Sequence, residues 1–393
     1  MPAGARLSSK KRLSRSSERP TLHVAHALAA VQVGPETTEL RELPLPDVGP
    51  DSALLKVEAA GVCGSDVGSY TRWGGAPRIL GHENVGVIMQ AGNAFARRWG
   101  VDEGDRVAVE EYLACGHCEH CLRGEFRHCA ETDTFSNPGA LRYGHTPITT
   151  PPALWGGYSH YLYMPASAVL HRMPEHIPAE QAAMALPMAN GVEWAVVEAQ
   201  TGPGRSLVIM GPGQQGLSAV LAAKAAGADL VILTGLARDQ RRLEVGGRLG
   251  ADVTIEADRE DVHERVREIT AGKGVDAVVD TTSAPASAMV PLAIDLVKRK
   301  AGRIIVQSLG GTISAFPIEK LARKYITLKP ARGHSYASVE LAIQRIASGK
   351  YPLERLATHT FGLSDVDLAI RSVGGSGAPG AIHVTVLPWQ RES

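Results

Sequence analysis

The sequence predicts an α/β protein of two domains, one β-rich and one built on a doubly wound parallel sheet. Between residues 21 and 188, short apolar runs such as Ala53–Val57 and Arg106–Val109 are separated by Gly, Pro and Asp, which is typical of short strands joined by turns. From about Gly191, short apolar runs alternate with longer helical segments, which is typical of a parallel sheet with helices on both faces. At 393 residues the chain is long enough for two hydrophobic cores.

The second half is expected to alternate strand and helix. Leu207–Met210 is typical of a buried strand, and Leu217–Ala226 of an Ala-rich helix that ends at Gly227. Further strands are expected at 230–233, 253–255, 277–279 and 304–306, and helices at about 238–249, 260–271 and 285–298. After residue 333, a helix at about 336–348 and a strand at 382–387 resemble the first half. We therefore expect residues 25–188 and 334–393 to form the first domain and residues 189–333 to form the second.

Residues 1–24 are predicted to be a disordered, basic and Ser-rich tail, because six Lys or Arg side chains accompany very few apolar ones. A nucleic-acid-binding arm or an organellar transit peptide is the alternative interpretation. No apolar segment follows the basic residues, so a secretory signal is excluded and a cytoplasmic protein is expected. The formal net charge is zero and no apolar run reaches the length of about eighteen residues that spans a bilayer. Neither nucleic acid nor a membrane is therefore expected as a partner.

Four of the five cysteines lie close together, separated by two, two and seven residues. Cys115, Cys118, Cys121 and Cys129 can converge on one tetrahedral Zn²⁺ with no open position, which predicts a structural zinc lobe at about 111–131. A pair of disulfides or an iron–sulfur site is the alternative, and the lack of a secretory signal disfavours the disulfides. Cys63 is left outside this cluster.

A glycine-rich loop, GPGQQG, directly follows the first strand of the second half and opens its helix. Gly211, Gly213 and Gly216 allow a tight turn and close backbone approach, and the loop residues Gln214 and Gln215 lie where free backbone N–H groups would bind a pyrophosphate. The motif alone is weak, but between a strand and a helix it indicates a dinucleotide. NAD or NADP is therefore the predicted cofactor.

The sequence also bears on the choice between the two dinucleotides. About twenty residues past the loop, where an acidic residue usually binds the ribose of NAD, the chain has Gly235. Arg238 follows three residues later and would attract a 2′-phosphate that no carboxylate repels. These residues slightly favour NADP. The alternative is that Arg238, Arg241 and Arg242 form the solvated face of the next helix.

Two polar motifs flanked by glycines precede the zinc lobe. Cys63 lies in GVCGSD, and His82 and Glu83 lie in GHENVG nineteen residues later. Thiolates, imidazoles and carboxylates are all zinc ligands. Each residue alone would more often be a packing residue, but the company of the zinc lobe and the dinucleotide loop makes them candidate ligands of a second metal site.

These motifs, in this order, resemble the medium-chain zinc-dependent alcohol dehydrogenase family, which includes sorbitol and threonine dehydrogenases. The resemblance covers about residues 25–390 and implies a GroES-like catalytic domain, a Rossmann domain and an active site between them. It implies that Cys63 and His82 bind a catalytic zinc, that Ser65 takes the proton of the alcohol, and that Asp66 orients the imidazole. Zinc would act as a Lewis acid while hydride passes to the nicotinamide. Leu309–Gly310 resembles the loop at the nicotinamide end of the cofactor.

Two positions depart from the family pattern. The third zinc ligand falls near Leu186 and Pro187, which cannot bind a metal, and the histidine of the proton relay is replaced by Gly68. Glu83 is therefore expected to be the third ligand, with water in the fourth position. The alternative is a weak or absent catalytic zinc.

The predicted function is the zinc-dependent transfer of hydride between NAD(P) and an alcohol or polyol, or the matching aldehyde or ketone. A zinc-independent reductase of quinones or enones is the first alternative, because of the missing ligand. A non-enzymatic zinc-containing binding protein is the second. We expect a small-molecule alcohol or carbonyl substrate and assembly into a homodimer or homotetramer.

Overall fold

The computed structural model describes residues 25–307 and 312–390. The predicted tail, residues 1–24, lies outside the described residues, as does the predicted nicotinamide loop at Leu309 and Gly310. Within the described ranges, the predicted α/β fold class is confirmed, because one sheet is largely antiparallel and another is wholly parallel. No helix in these ranges is long and apolar enough to cross a membrane. The domain boundaries stay predictions.

The first half of the chain forms two sheets of short strands. Its strands are β1 (His26–Gly34), β2 (Thr37–Pro44), β3 (Ala53–Gly61), β4 (Arg78–Ile79), β5 (Glu83–Ala91), β6 (Arg106–Leu113), β7 (Tyr161–Met164) and β8 (Ala168–Arg172). Its helices are α1 (Gly64–Thr71), α2 (Asn93–Trp99), α3 (Glu119–Leu122), α4 (Ala179–Ala182) and α5 (Ala185–Val192), which continues as a π-helical segment, Glu193–Glu198. Strands β2, β1 and β4 form the smaller sheet, and β3, β5, β6, β7 and β8 belong to the larger one.

The second half forms a parallel sheet in the order β11-β10-β9-β12-β13-β14. The strands are β9 (Ser206–Met210), β10 (Leu230–Gly235), β11 (Val253–Glu256), β12 (Ala277–Asp280), β13 (Arg303–Val306) and β14 (Thr327–Pro330). The helices are α6 (Gln214–Ala225), α7 (Gln240–Leu249), α8 (Val262–Ile269), α9 (Ala286–Leu296) and α10 (Ile318–Lys324). Strand order reverses at β9, and in such sheets ligands bind in the crevice at the carboxyl ends of the strands beside this point.

Both faces of the parallel sheet are buried at its central strand β9, which explains why this strand is a continuous apolar run, whereas the edge strand β14 is exposed along its whole length. On β9, Leu207 and Ile209 pack into one hydrophobic cluster, whereas Val208 and Met210 pack into another on the opposite face. Successive side chains of a strand point to opposite faces, so a strand covered on both sides has no polar positions.

The end of the chain returns to the first sheet. Its elements are α11 (Tyr336–Ala347), β15 (Ala357–Phe361), α12 (Val366–Gly374) and β16 (His383–Val386). Strand β16 pairs antiparallel with β3, next to the start of α1. This return brings His383 to the boundary between the two halves.

Candidate active site

The sheet register brings Cys63, His82 and Glu83 together. Gly61 at the end of β3 pairs with Glu83 at the start of β5, so the residues that follow β3 lie beside those that precede β5. One ligand atom from each of the three side chains lies within 4.8 Å of the other two. His82 and Glu83 are buried, and Cys63 is partly buried at the N-terminus of α1. Residues that are far apart in the sequence therefore form one buried group of metal-ligand type.

Asp66 fixes the orientation of the His82 ring. Its Oδ1 lies 3.3 Å from His82 Nδ1, and its Oδ2 accepts from Cys63 N at 2.9 Å and from the Tyr158 hydroxyl at 3.2 Å. Burial opposes ionisation of Asp66, but the charge of His82 and the hydrogen bond from Cys63 N lower its pKa below the usual value. With Nδ1 directed at a carboxylate, Nε2 of His82 is the ring nitrogen left for a metal. The hydroxyl of Ser65 lies 3.4 Å from that nitrogen.

Glu83 has one carboxylate oxygen that has no hydrogen-bond partner among the described residues and is available to bind a metal. Its Oε1 accepts from the amide nitrogen of Gln214 at 3.4 Å, whereas its Oε2 is buried without a hydrogen-bond partner among the described residues. Burial raises the pKa of Glu83 to about 8 and also raises the pKa of the Cys63 thiol. Burying a thiolate and a carboxylate is costly unless a cation compensates them. A thiolate, an imidazole and a carboxylate fit a zinc ion that keeps one open position.

Glu111 and Arg142 also face this group, although the sequence analysis did not single them out. Glu111 Oε2 lies 3.9 Å from His82 Nε2 and 2.7 Å from Arg142 Nη2. Burial opposes ionisation of Glu111, but the charges of Arg142 and His82 hold its pKa well below the usual range. The signal that could have found it is the pair Glu110-Glu111 inside the apolar strand β6, where adjacent carboxylates are unusual.

The positions near which the family places its third ligand have no side-chain atom that could bind a metal. Leu186 and Pro187 lie in the first turn of α5, and Leu186 belongs to the hydrophobic core. Besides Asp66 of α1, the carboxylates near His82 come from β5 and β6, as Glu83 and Glu111.

The four clustered cysteines converge as their spacing predicts. One sulfur from each lies within 4.8 Å of the others, and all four are free thiols rather than disulfides. Backbone N–H groups of Cys115 and Cys118 point at Cys129 Sγ and Cys115 Sγ, each at 3.4 Å. Hydrogen bonds from the backbone of His117 and Cys118 lower the pKa of Cys115 to about 6. Four sulfurs held in this way fit a closed tetrahedral metal site.

The dinucleotide loop, residues 211–216, lies at the carboxyl end of β9 with Gly213 as the N-cap of α6. Helix α6 begins three residues earlier than predicted, because the two glutamines of the loop already form its first turn. The side chain of Gln214 is turned away from the helix end, towards Glu83 and His383. The backbone N–H groups at this end remain the part of the loop suited to a pyrophosphate.

Packing gives a second reason for the glycine at the end of β10. A Cβ atom on Gly235 would lie 2.8 Å from Pro212 Cγ and 3.1 Å from Leu243 Cδ2, so a side chain here would displace the dinucleotide loop. Arg238, in a short 3₁₀ turn before α7, is exposed, and no hydrogen bond or ion pair joins it to another described residue. Arg242 instead donates to the carbonyl of Ala381 at 2.7 Å.

The fold and the site together define a class of protein. A parallel sheet with a glycine-rich loop at its central strand lies beside a domain that groups a thiol, an imidazole and a carboxylate. This combination is that of a dinucleotide-dependent oxidoreductase with a metal-ligating catalytic domain.

Comparisons with known proteins identify the family. Residues 49–175 match the family described as alcohol dehydrogenase GroES-like domain, and residues 216–348 match zinc-binding dehydrogenase. The chain is 34% identical over 369 residues to a probable alcohol dehydrogenase of Mycobacterium tuberculosis, covering 92% of this chain and 98% of that protein. The chain therefore belongs to the medium-chain zinc-dependent alcohol dehydrogenase family, and the predicted GroES-like and Rossmann folds are confirmed.

Two further comparisons agree with this assignment. An erythritol/L-threitol dehydrogenase of Mycolicibacterium smegmatis is 31% identical over 373 residues, covering 92% of this chain and 97% of that protein. Among solved structures, an alcohol dehydrogenase from Thermus sp. ATN1 superposes with a TM-score of 0.76 at 27% identity, covering 92% and 99% of the two chains. The similarity thus extends over both domains.

Proposed function

We propose that the protein oxidises a small alcohol or polyol, or reduces the matching carbonyl, at a zinc held by Cys63, His82 and Glu83. The observation that carries this proposal is the buried Glu83 Oε2, which has no hydrogen-bond partner in the described part of the chain. Zinc bound there would supply Lewis-acid chemistry to the substrate oxygen.

The residues around the metal position have separate roles in this proposal. Asp66 holds the imidazole of His82 so that Nε2 faces the metal. Ser65, exposed and 3.4 Å from Nε2, would relay the proton, because its hydroxyl can accept the proton of the alcohol while giving its own proton to a solvent water. Glu111, held by Arg142, lines the same side of His82. With glycine at position 68, the proton leaves through Ser65 without a following histidine.

The four-cysteine lobe is proposed to hold a structural zinc that takes no part in hydride transfer. Its four sulfurs leave no open position for substrate, and metal binding by thiolates contributes directly to folding free energy. Five free cysteines suit a reducing compartment, which supports a cytoplasmic location. Assembly into a homodimer or homotetramer is part of the same proposal.

For the cofactor we propose NADP, with Arg238 as the residue that binds the 2′-phosphate. Arg242 is committed to the carbonyl of Ala381, whereas Arg238 is exposed and unpaired among the described residues. The backbone N–H groups of Leu236 and Ala237 already donate to the side chains of Asp239 and Asp258. They are therefore not free to bind the 2′-phosphate, and the guanidinium of Arg238 is left as a donor.

The proposal is tested by screening alcohols and polyols with NAD⁺ and with NADP⁺ while measuring the metal content of the same preparation. Oxidation of an alcohol that chelation abolishes and added zinc restores supports it. The alternative is a zinc-independent reductase, because Leu186 lies near the position of the family's third zinc ligand and cannot bind a metal. NADPH-driven reduction of a quinone or enone that chelation leaves unchanged, with no alcohol oxidised, would establish that alternative.

A further inference from the structure

The side chain of Gln214 joins the dinucleotide loop to the catalytic domain. Gln214 is the first residue of α6 and is 9% exposed. Its amide nitrogen donates to Glu83 Oε1 at 3.4 Å, and its amide oxygen accepts from His383 Nδ1 at 2.9 Å. Glu83 bound to a metal would be a carboxylate, which only accepts hydrogen bonds, so the amide nitrogen then faces Glu83 and the amide oxygen faces His383. Both ends of the amide are therefore committed to the other domain.

His383 is a firm anchor for this amide. It lies in β16, is 1% exposed, and burial lowers its pKa to about 4, so its ring is neutral near pH 7. A neutral ring that donates from Nδ1 has no proton on Nε2, and Nε2 has no hydrogen-bond partner among the described residues. Because the amide oxygen of Gln214 accepts from Nδ1, the single proton of the neutral ring lies on Nδ1.

The two oxygens of Glu83 have different surroundings. Gln214 holds Oε1, while Oε2 is buried and without a partner in the described ranges. A Cβ atom on Gly61 would overlap Glu83 Oε2 and touch the His383 ring, so glycine is required for these side chains to come together. Holding one carboxylate oxygen fixes the direction of the other, which is the oxygen left for a metal shared with Cys63 and His82.

We propose that Gln214 is a positioning residue, which orients Glu83 towards the metal and makes retention of that metal depend on the bound dinucleotide. The N-terminus of α6 is where a pyrophosphate would bind, so the residue that holds Glu83 belongs to the loop that the cofactor would contact. Such a coupling is reciprocal, so the metal would equally strengthen binding of the cofactor. The inference rests on the proposed function, because it needs zinc at Cys63, His82 and Glu83.

The test follows the loss of zinc to a chromogenic chelator, with and without saturating NADP⁺ or NAD⁺. Wild-type protein should release one zinc in a fast phase that the cofactor slows, and the zinc of the four-cysteine lobe in a slow phase. Gln214→Met keeps the length of the side chain and removes both hydrogen bonds. We expect its fast phase to be about tenfold faster than in wild type and no longer slowed by cofactor. Its slow phase should not change.

Gln344→Met is the matched control, because Gln344 is an exposed residue of α11 and lies outside the dinucleotide loop. It should release zinc at the wild-type rate and keep the response to cofactor. If Gln214→Met releases zinc in the fast phase at the wild-type rate, Gln214 does not position Glu83. If bound cofactor still slows that phase in Gln214→Met, Gln214 does not couple the metal to the cofactor. If Gln214→Met is insoluble, His383→Leu removes the anchor instead, and the same two outcomes decide.

The measurement also separates this inference from the proposed function. If wild-type protein holds two zinc ions and neither Gln214→Met nor His383→Leu changes the rate of zinc release, the inference alone is refuted. Wild-type protein that oxidises alcohols with one zinc per chain would refute the proposed function and the inference together.

Discussion

Replacing Arg127 should destabilise the protein more than replacing any exposed arginine of the zinc lobe. Arg127 lies in the 3₁₀ turn Phe126–His128, two residues before Cys129, and is 5% exposed. Its Nη2 lies 2.8 Å from Glu193 Oε1, 2.8 Å from Glu125 Oε2 and 3.4 Å from Glu198 Oε1. One guanidinium therefore ties the zinc lobe to the π-helical segment that follows α5.

The magnitude follows from the surroundings of Glu193. Burial alone would raise the pKa of Glu193, but hydrogen bonds from Ser338 and Ser335 and the charge of Arg127 lower it. In Arg127→Met the carboxylate would keep both serine hydroxyls and lose its counter-charge. Breaking a buried ion pair costs about 3–5 kcal/mol. The serines should hold the loss of unfolding free energy near the lower end of this range, about 3 kcal/mol.

Arg123→Met is the matched control within the same lobe. Arg123 lies 3.6 Å from Glu119, and both side chains are 69% exposed, so this pair contributes at most about 1 kcal/mol. The midpoint of urea unfolding should fall clearly in Arg127→Met and little in Arg123→Met. The double variant Arg127→Met/Glu193→Gln should recover part of the loss. Equal midpoints for the two single variants would refute the reasoning.

Three further predictions concern the metal sites and the cofactor. Cys118→Ser should lower both soluble yield and melting temperature, because thiolate coordination contributes to folding; wild-type stability with full metal content would contradict a structural zinc. Glu111→Gln should lower kcat/KM for the alcohol about tenfold, because the carboxylate faces His82. Glu58→Gln is the control and should have little effect, because Glu58 pairs with Arg106, which lies on β6 like Glu111. Equal kinetics in both variants would contradict a role for Glu111. Arg238→Ala should raise the KM for NADPH about ten- to a hundredfold, which corresponds to about 1.5–3 kcal/mol for a charge-assisted contact, and should leave the KM for NADH unchanged; a wild type that prefers NADH, with neither constant changed, would make Arg238 a solvated residue.

Much of the fold follows from local patterns in the sequence. Runs such as Leu207–Met210 are apolar on both faces, and this pattern indicates a strand covered on both sides. The predicted helix at 238–249 is observed as a short 3₁₀ turn followed by α7, Gln240–Leu249. The difference arises because Asp239 accepts a hydrogen bond from Leu236 N, which favours a tight turn over a continuous helix.

The candidate site was predictable only where a motif repeats a known chemical pattern. Cys63, His82 and Glu83 stand in short glycine-flanked motifs, so their residue types pointed to a metal. Glu111 has no such motif, and it meets His82 only because β5 and β6 pair in the larger sheet. The contact of Gln214 with Glu83 depends on how the two domains lie together, and no local pattern encodes it.

The central claim is that zinc bound by Cys63, His82 and Glu83 is needed for turnover, separately from the zinc of the four-cysteine lobe. The most direct measurement is the zinc content per chain of wild-type protein and of Cys63→Ala, with alcohol oxidation assayed on the same preparations. We expect close to two zinc ions in wild type and about one in Cys63→Ala, which should be folded and inactive. One zinc per chain in a fully active wild type, or full activity in Cys63→Ala, would contradict the account.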